Sequence, residues 1–222
     1  MKLLTWNCNG CFRKKSDLIL DVGADINVIQ ECEHPKKFSL FPEGSGGNCI
    51  WTGLNENRGL CVFSASGTNL LNNEWENYGL RHFVSVKVNN DFDLVAVWTG
   101  HPYIEEYYVY HQIHKNNFSK RTIVIGDFNS NSIWDKDHKD RGHSEVVRQM
   151  QKIGLVSAYH YARKEEQGSE KTATFYMHRD TEKGYHIDYC FVDPKRIRQI
   201  EILDERKWLN FSDHLPLVVE ID

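Results

Sequence analysis

The 222-residue chain has little that would tie it to a bilayer or to a polyanionic surface. No apolar run approaches the ~20 residues that a membrane span needs, and the mean hydropathy is −0.57. There is no basic surplus: 27 Lys and Arg face 31 Asp and Glu, a formal net charge of −4. That balance excludes a polybasic coat, whose affinity comes from many phosphate neutralisations, but leaves room for a small nucleic-acid site. Prolines number five, and no Pro-, Gly- or Ser-rich linker or internal repeat divides the sequence, so one domain over 1–222 is expected. No G-x-G-x-x-G occurs, which argues against a dinucleotide-binding doubly wound sheet. The opening Met1-Lys2-Leu3-Leu4-Thr5-Trp6-Asn7 turns polar too soon for an export signal, so a cytoplasmic protein is expected. In that setting the six cysteines (Cys8, Cys11, Cys32, Cys49, Cys61, Cys190) read as reduced thiols. Cys8 and Cys11 form an isolated C-x-x-C with no second pair and no thioredoxin-like pattern after it, which favours coincidence at a strand exit over a zinc or redox site.

What is present is a series of short apolar runs with strand composition. They predict strands over Leu3 to Asn7, Ile26 to Glu31, Gly59 to Ser64, Phe83 to Val88, Phe92 to Thr99, Thr122 to Gly126, Tyr185 to Val192 and Leu217 to Ile221. Asn89-Asn90-Asp91 between two alternating runs predicts a hairpin. Helical spacing appears around Leu18, Ile19 and Val22, over Ile104 to Asn117, and where Val146, Val147, Met150 and Ile153 line one stripe, with Ser144 as its candidate cap. Strands joined both by hairpins and by helices predict a mixed α/β sandwich.

The informative residues stand where apolar strands stop. Ile123-Val124-Ile125 runs straight into Gly126-Asp127-Phe128-Asn129, and continued period two would put Asp127 and Asn129 on one face. An Asx turn explains the same residues without any chemistry. However, Ile26 to Gln30 also ends in an acid, Glu31, and the first strand ends in Asn7 and Asn9. Asp188 interrupts an apolar and aromatic strand, where a carboxylate is costly unless paired. Ser212-Asp213-His214 immediately precedes the last strand. Carboxylates and amides gathered at strand ends suit Mg²⁺ or Mn²⁺, which take oxygen ligands, better than zinc.

Taken together, Trp6-Asn7-Cys8-Asn9-Gly10, Gln30-Glu31, Gly126-Asp127-Phe128-Asn129, His186-Ile187-Asp188-Tyr189 and Ser212-Asp213-His214-Leu215-Pro216 resemble, in order, the motifs of the endonuclease/exonuclease/phosphatase superfamily, the deoxyribonuclease-I-like fold. The resemblance spans the chain. It implies a four-layer α/β/β/α sandwich of two mixed sheets flanked by helices, and hydrolysis of phosphoesters with Mg²⁺ or Mn²⁺. By the same resemblance Glu31 is the principal metal ligand, with Asp213 and Asn9 beside the metal. Asp127 orients or deprotonates the attacking water, and Asn7 and Asn129 hold Asp127 or a phosphate oxygen. His214 lies at the phosphate with Asp188 as its partner, and His101 of Thr99-Gly100-His101-Pro102-Tyr103 is a candidate phosphate contact. Asn9 departs from the Asp that abasic-site endonucleases of this family carry, which puts metal affinity and an abasic-site role in question.

The leading expectation is therefore a monomeric, metal-dependent phosphodiesterase acting on DNA or RNA. A phosphatase or phosphodiesterase for a small or lipid phosphoester is the first alternative, and a non-catalytic domain that keeps the fold is the second. His111 and His114 could offer two ligands from one helix face but lack a third, so packing is the preferred reading. His34, His82, His138, His143, His160 and His178 read as surface or cap residues. Arg13-Lys14-Lys15, Lys36-Lys37, and Lys136, Lys139 and Arg141 are candidate phosphate contacts, and Trp134 could overhang the site.

Overall fold

A computed structural model describes residues 1–38, 48–64 and 67–222. Its strands are β1 (Lys2–Asn7), β2 (Ile26–Cys32), β3 (Asn48–Asn55), β4 (Arg58–Ser64), β5 (Leu70–Asn72), β6 (Phe83–Val88) and β7 (Phe92–Trp98). They continue as β8 (Thr122–Asp127), β9 (Val156–Ser157), β10 (Phe175–Tyr176), β11 (Gly184–Tyr185), β12 (Asp188–Val192), β13 (Ile197–Ile202) and β14 (Leu217–Ile221). Two six-stranded sheets result, ordered β13-β14-β1-β2-β4-β3 and β5-β6-β7-β8-β12-β9, and β10-β11 forms a separate ribbon. Each large sheet contains one parallel pair, β1-β2 or β7-β8, so both are mixed, as expected. The first and last strands are neighbours inside one sheet, antiparallel with Leu3 opposite Val219.

Period-two alternation sorts the apolar side chains into layers. Leu3, Ile26, Val28, Ile123, Ile125, Cys190 and Val192 fill the space between the sheets. Leu4, Trp6 and Ile29 face outward with Phe12, Ile19 and Trp208, under the short helices α1 (Ser16–Leu20) and α6 (Glu205–Trp208). Val95, Val124, Tyr189 and Phe191 face outward on the other side. There they meet Tyr107 and Tyr110 of α2 (Ile104–His114), and Val146 and Met150 of α4 (His143–Lys152). Between α2 and α4 lies the single turn α3 (Asp135–His138), and α5 (Ala158–Arg163) follows β9. At about 0.8 kcal/mol per buried methylene, these three apolar layers are the main favourable term for the fold.

Several sequence expectations need correction. Tyr185 to Val192 is not one strand: Gly184–Tyr185 pairs with β10, and the sheet strand begins only at Asp188. The helix from Ile104 ends at His114, short of Asn117. Ser144 lies inside α4, whose N-cap is Gly142; Asp135 does the capping, accepting from Ser144 N at 3.1 Å. The hairpin of β6 and β7 pairs as expected, Val88 opposite Phe92. All six cysteines are free thiols. Among the described residues no helix is long and apolar enough to cross a membrane.

Candidate active site

Alternation delivers three polar residues to one place. Asn7 follows Leu3 and Thr5 along the inward face of β1; Asp127 follows Ile123 and Ile125 on β8; Asp188 precedes Cys190 and Val192 on β12. Each is the last inward position at its end of the strand, so the inter-sheet core ends in a polar floor. Asn7 Nδ2 donates across the sandwich to Asp127 Oδ2 at 3.0 Å and to Glu31 Oε1 at 3.4 Å. Asn7 Oδ1 accepts from Asn9 N at 3.1 Å, which fixes the amide with its donor toward the two acids. The side chain of Asn9 itself is exposed, at a left-handed φ of 51°.

Glu31 reaches this floor through a β-bulge. Gln30 pairs with Leu60 and Cys32 with Gly59, so Glu31 is the extra residue, and its φ of 57° turns its side chain away from the ladder. Its carboxylate is 13% exposed and is held by Arg58 at the start of β4. Arg58 in turn lies over Trp98, 5.8 Å from the ring centroid, and His82 packs on the same indole at 4.3 Å, tilted by 35°. Trp98 is the register partner of Asp127 on the adjacent strand. Burial, with Arg81 and Arg58 nearby, pushes His82 down to about 4, so it stays neutral beside these cations.

Asp127 and Asn129 do not share a face by continued extension, because Asn129 has a φ of 45°. An Asx turn brings them together instead: Asn129 N donates to Asp127 Oδ1 at 2.8 Å, and Asn129 Nδ2 reaches Asp127 Oδ2 at 3.2 Å and Thr99 O at 2.9 Å. The turn and the constellation are one structure. Asp127 thus receives three donors while fully buried. Burial raises its carboxyl to about 7, with Asp188 adding to the rise and His214, Asn7 and Asn129 opposing it. His214 Nδ1 pairs with Asp188 Oδ2 at 3.0 Å, and its Nε2 lies 3.9 Å from Asp127 Oδ2. Burial alone would lower the imidazole, but the charges of Asp188 and Asp127 outweigh it and lift His214 to about 9. Among the described residues, Asp188 Oδ1 is buried without a hydrogen-bond partner.

Positioning comes from residues to which the sequence reading gave no role. Thr174 Oγ1 accepts from Ile187 N and Asp188 N, both at 3.0 Å, and Thr174 O accepts from Leu215 N at 2.7 Å. Trp6 Nε1 donates to His214 O at 2.9 Å, and Ser212 Oγ to Asn7 O at 2.7 Å. Ser212 Oγ also lies 3.4 Å from Asp213 Oδ1, which places Asp213 at the Asn7 end of the floor. No pattern in the sequence marks Thr174 or Arg58, since their role depends on pairing across distant strands.

His101 stands outside the buried network. It is exposed at the rim of a cavity of about 580 Å³ that begins at Asn129 and is walled by Trp134, Phe175, Tyr185 and Ile187. Trp134 packs on Tyr185 at 5.3 Å, and both line this cavity. Glu105 and His138, paired at 3.1 Å, lie among the polar lining. Two histidines of α2 pack: His111 lies on Phe118 at 4.5 Å, and His114 on Trp75 at 5.3 Å with Nε2 at Glu76 O. His143, expected at the surface, is fully buried against Tyr189 at 4.7 Å. Of the basic candidates, Arg13 pairs with Glu33, Lys36 with Glu56, and Lys15 holds Phe211 O at 2.7 Å.

Comparison with known proteins gives a consistent result. A family model described as the Endonuclease/Exonuclease/phosphatase family matches residues 4–214. No curated protein matches the chain. Among solved structures, an AP endonuclease from Archaeoglobus fulgidus is similar with a TM-score of 0.72 at 18% identity, covering 100% of this chain and 99% of that one. A 3′ phosphatase from Neisseria bound to a product DNA hairpin is similar with a TM-score of 0.69 at 18% identity, with coverage of 100% and 99%. A 3′-5′ exonuclease from Neisseria meningitidis also has a TM-score of 0.69, at 19% identity and full coverage of both chains. With its two mixed sheets, its inward carboxylates at the strand ends and a family match over nearly its whole length, the chain belongs to the endonuclease/exonuclease/phosphatase family.

Proposed function

We propose that the protein hydrolyses phosphodiesters of nucleic acid with the help of a divalent cation, Mg²⁺ or Mn²⁺. The observation that carries the reading is the Asn7 amide, which ties Glu31, a bulge-mounted carboxylate, to Asp127, a buried one facing His214. The donor set fits such a cation: the Glu31 and Asp213 carboxylates and the exposed Asn9 amide can supply hard oxygen, and the Arg58 guanidinium already occupies Glu31 as a positive group. Glu31 would hold the ion, with Asp213 and Asn9 beside it, and when bound the ion supplies charge neutralisation at the phosphoryl oxygens. Asp127, Asp188 and His214 also offer ligand atoms within 4.8 Å of one another. Their geometry favours proton handling instead, because the imidazole Nδ1 is committed to Asp188 and an imidazole site would suit zinc.

The other steps belong to the chain. Asp127, its oxygens aimed by Asn7 and Asn129 and its carboxyl raised toward neutrality, orients the attacking water and accepts its proton. His214, protonated and fixed by Asp188, presents its free edge to phosphate oxygens as charge builds on them. Asn129 sits at the mouth of the aromatic cavity, whose volume suits one nucleotide residue beside the scissile phosphate, with His101 at the rim for a phosphate contact. The similarity to the Neisseria 3′ phosphatase bound to DNA and to the Archaeoglobus AP endonuclease supports nucleic acid over a small or lipid ester. The test is hydrolysis of labelled oligonucleotides with internal, abasic and 3′-phosphate ends in the presence of Mg²⁺. Native protein should turn over at least one of these, EDTA should stop it, and Asp127→Ala should lose it at unchanged circular dichroism. Turnover that survives both would overturn the reading.

A further inference from the structure

The cluster of Arg58, Trp98 and His82 lies on the flank of Glu31, whereas the aromatic cavity opens at Asn129. Arg58 is the feature that the proposed reaction leaves unexplained. It is half in solvent, 56% exposed, and yet is held on two sides: its head group pairs with Glu31 Oε2, and its guanidinium carbon lies over the Trp98 ring. The Trp98 contact does not depend on Glu31. His82 on the same ring, together with the backbone bond from Trp98 N to His82 O at 3.1 Å, keeps that indole in place. A divalent cation and a guanidinium cannot both neutralise one carboxylate at close range without strong mutual repulsion.

We propose that Arg58 is a cation-displaced phosphate clamp: it neutralises Glu31 until the divalent cation takes that carboxylate, and then, still seated on Trp98, it binds a phosphate of the substrate strand. The guanidinium fork is suited to both partners, since it matches carboxylate and phosphate alike. Cation binding and strand binding are thereby coupled through one side chain. The inference rests on the reading of Glu31 as a cation ligand.

The test uses the full chain with Mn²⁺, whose unbound fraction is read directly by electron paramagnetic resonance, and a hydrolysis-resistant phosphorothioate oligonucleotide followed by fluorescence anisotropy. Arg58→Ala should bind Mn²⁺ about fivefold more tightly, the size of one part-exposed ion pair removed from competition. The same variant should bind the oligonucleotide about fivefold less tightly in saturating Mn²⁺, and within about twofold of native without it. Opposite shifts of the two affinities are the signature; a variant in which both move together, or neither moves, overturns the clamp. Glu31→Gln separates the two readings. If it keeps native Mn²⁺ affinity, the cation seat itself is wrong, and the clamp falls with it. If it loses affinity while Arg58→Ala binds Mn²⁺ as the native protein does, only the clamp is wrong. Native protein that fails to bind the oligonucleotide in Mn²⁺ overturns the nucleic-acid reading and the phosphate half of the clamp.

Discussion

Thr174→Val isolates the contribution of one hydroxyl to the geometry of the site. Valine has nearly the same shape, so the packing around this fully buried residue is kept, and the change is chemical. The hydroxyl oxygen accepts from two consecutive backbone donors, Ile187 N and Asp188 N, both at 3.0 Å. Neither donor can reach water once the oxygen is gone. An orphaned buried donor costs about 1–3 kcal/mol, and since one small shift can relieve part of both, a loss of about 2–4 kcal/mol is expected. For a chain of this length about 2–4 °C of melting temperature accompanies each kcal/mol, so the midpoint should fall by about 4–16 °C. Thr174→Ser keeps the hydroxyl and removes one methyl, and should cost only about 1 kcal/mol. Thermal unfolding by circular dichroism compares the two variants. Because these donors flank the carboxylate that orients His214, turnover should also fall at temperatures where Thr174→Val remains folded. A valine variant that melts within about 2 °C of the serine variant would refute the reasoning.

Asp188→Asn removes the largest charge that holds His214 protonated. Native kcat/KM should decline as pH rises through about 9; in the variant the decline should begin at lower pH, with kcat reduced about 100-fold or more. An unmoved alkaline limb in the pH–rate profile would remove His214 as the titrating group. Glu170 supplies an acid-stability prediction. Burial would raise its carboxyl, but the bond to His160 and the backbone donors outweigh that and hold it at about 2. A depressed folded-state value gives stability that is complete above the unfolded value of about 4.3 and lost as pH falls toward 2, so Glu170→Gln should flatten the denaturation midpoint across that window. Gly126→Ala should prevent correct folding, because a Cβ there would lie 2.0 Å from Val97 O between two central strands, and the soluble yield and near-ultraviolet spectrum report it.

The strands that sequence reading locates are those buried on both faces, such as Ile26–Cys32 and Thr122–Asp127, where nothing but a core explains the run of branched residues. Asn48–Asn55, with two glycine- and asparagine-interrupted ends, and Ile197–Ile202, with a half-polar face at a sheet edge, lack that pattern and escape it. In the site the same logic holds. An acid that ends an apolar run is visible in one dimension, which is why Glu31, Asp127 and Asp188 stand out. How they are aimed is not visible. The bulge at Glu31 exists only relative to β4, and the Asx turn at Asn129 replaces the extended geometry that alternation suggests. Thr174 acts through a hydroxyl whose partners lie more than ten residues away, in a segment with no periodicity. The lesser histidines fail for a related reason: polar neighbours in sequence say little about His143, whose neighbour in space is Tyr189.

The antiparallel pairing of β1 with β14 sets when the polar floor can form. The floor takes Asn7 from the beginning of the chain and His214 from the approach to β14, and the bond from Trp6 to His214 spans 208 residues. Such long-range closure is slow and must wait for β14. A nascent or C-terminally truncated chain holds the two carboxylates of β2 and β8 but lacks the imidazole and the strand that seats it. Loss of the five residues of β14, Leu217–Ile221, would break the sheet next to β1 and leave His214 without its seat. The polar floor is thus a late product of folding, complete only once the strand that seats His214 has paired beside β1.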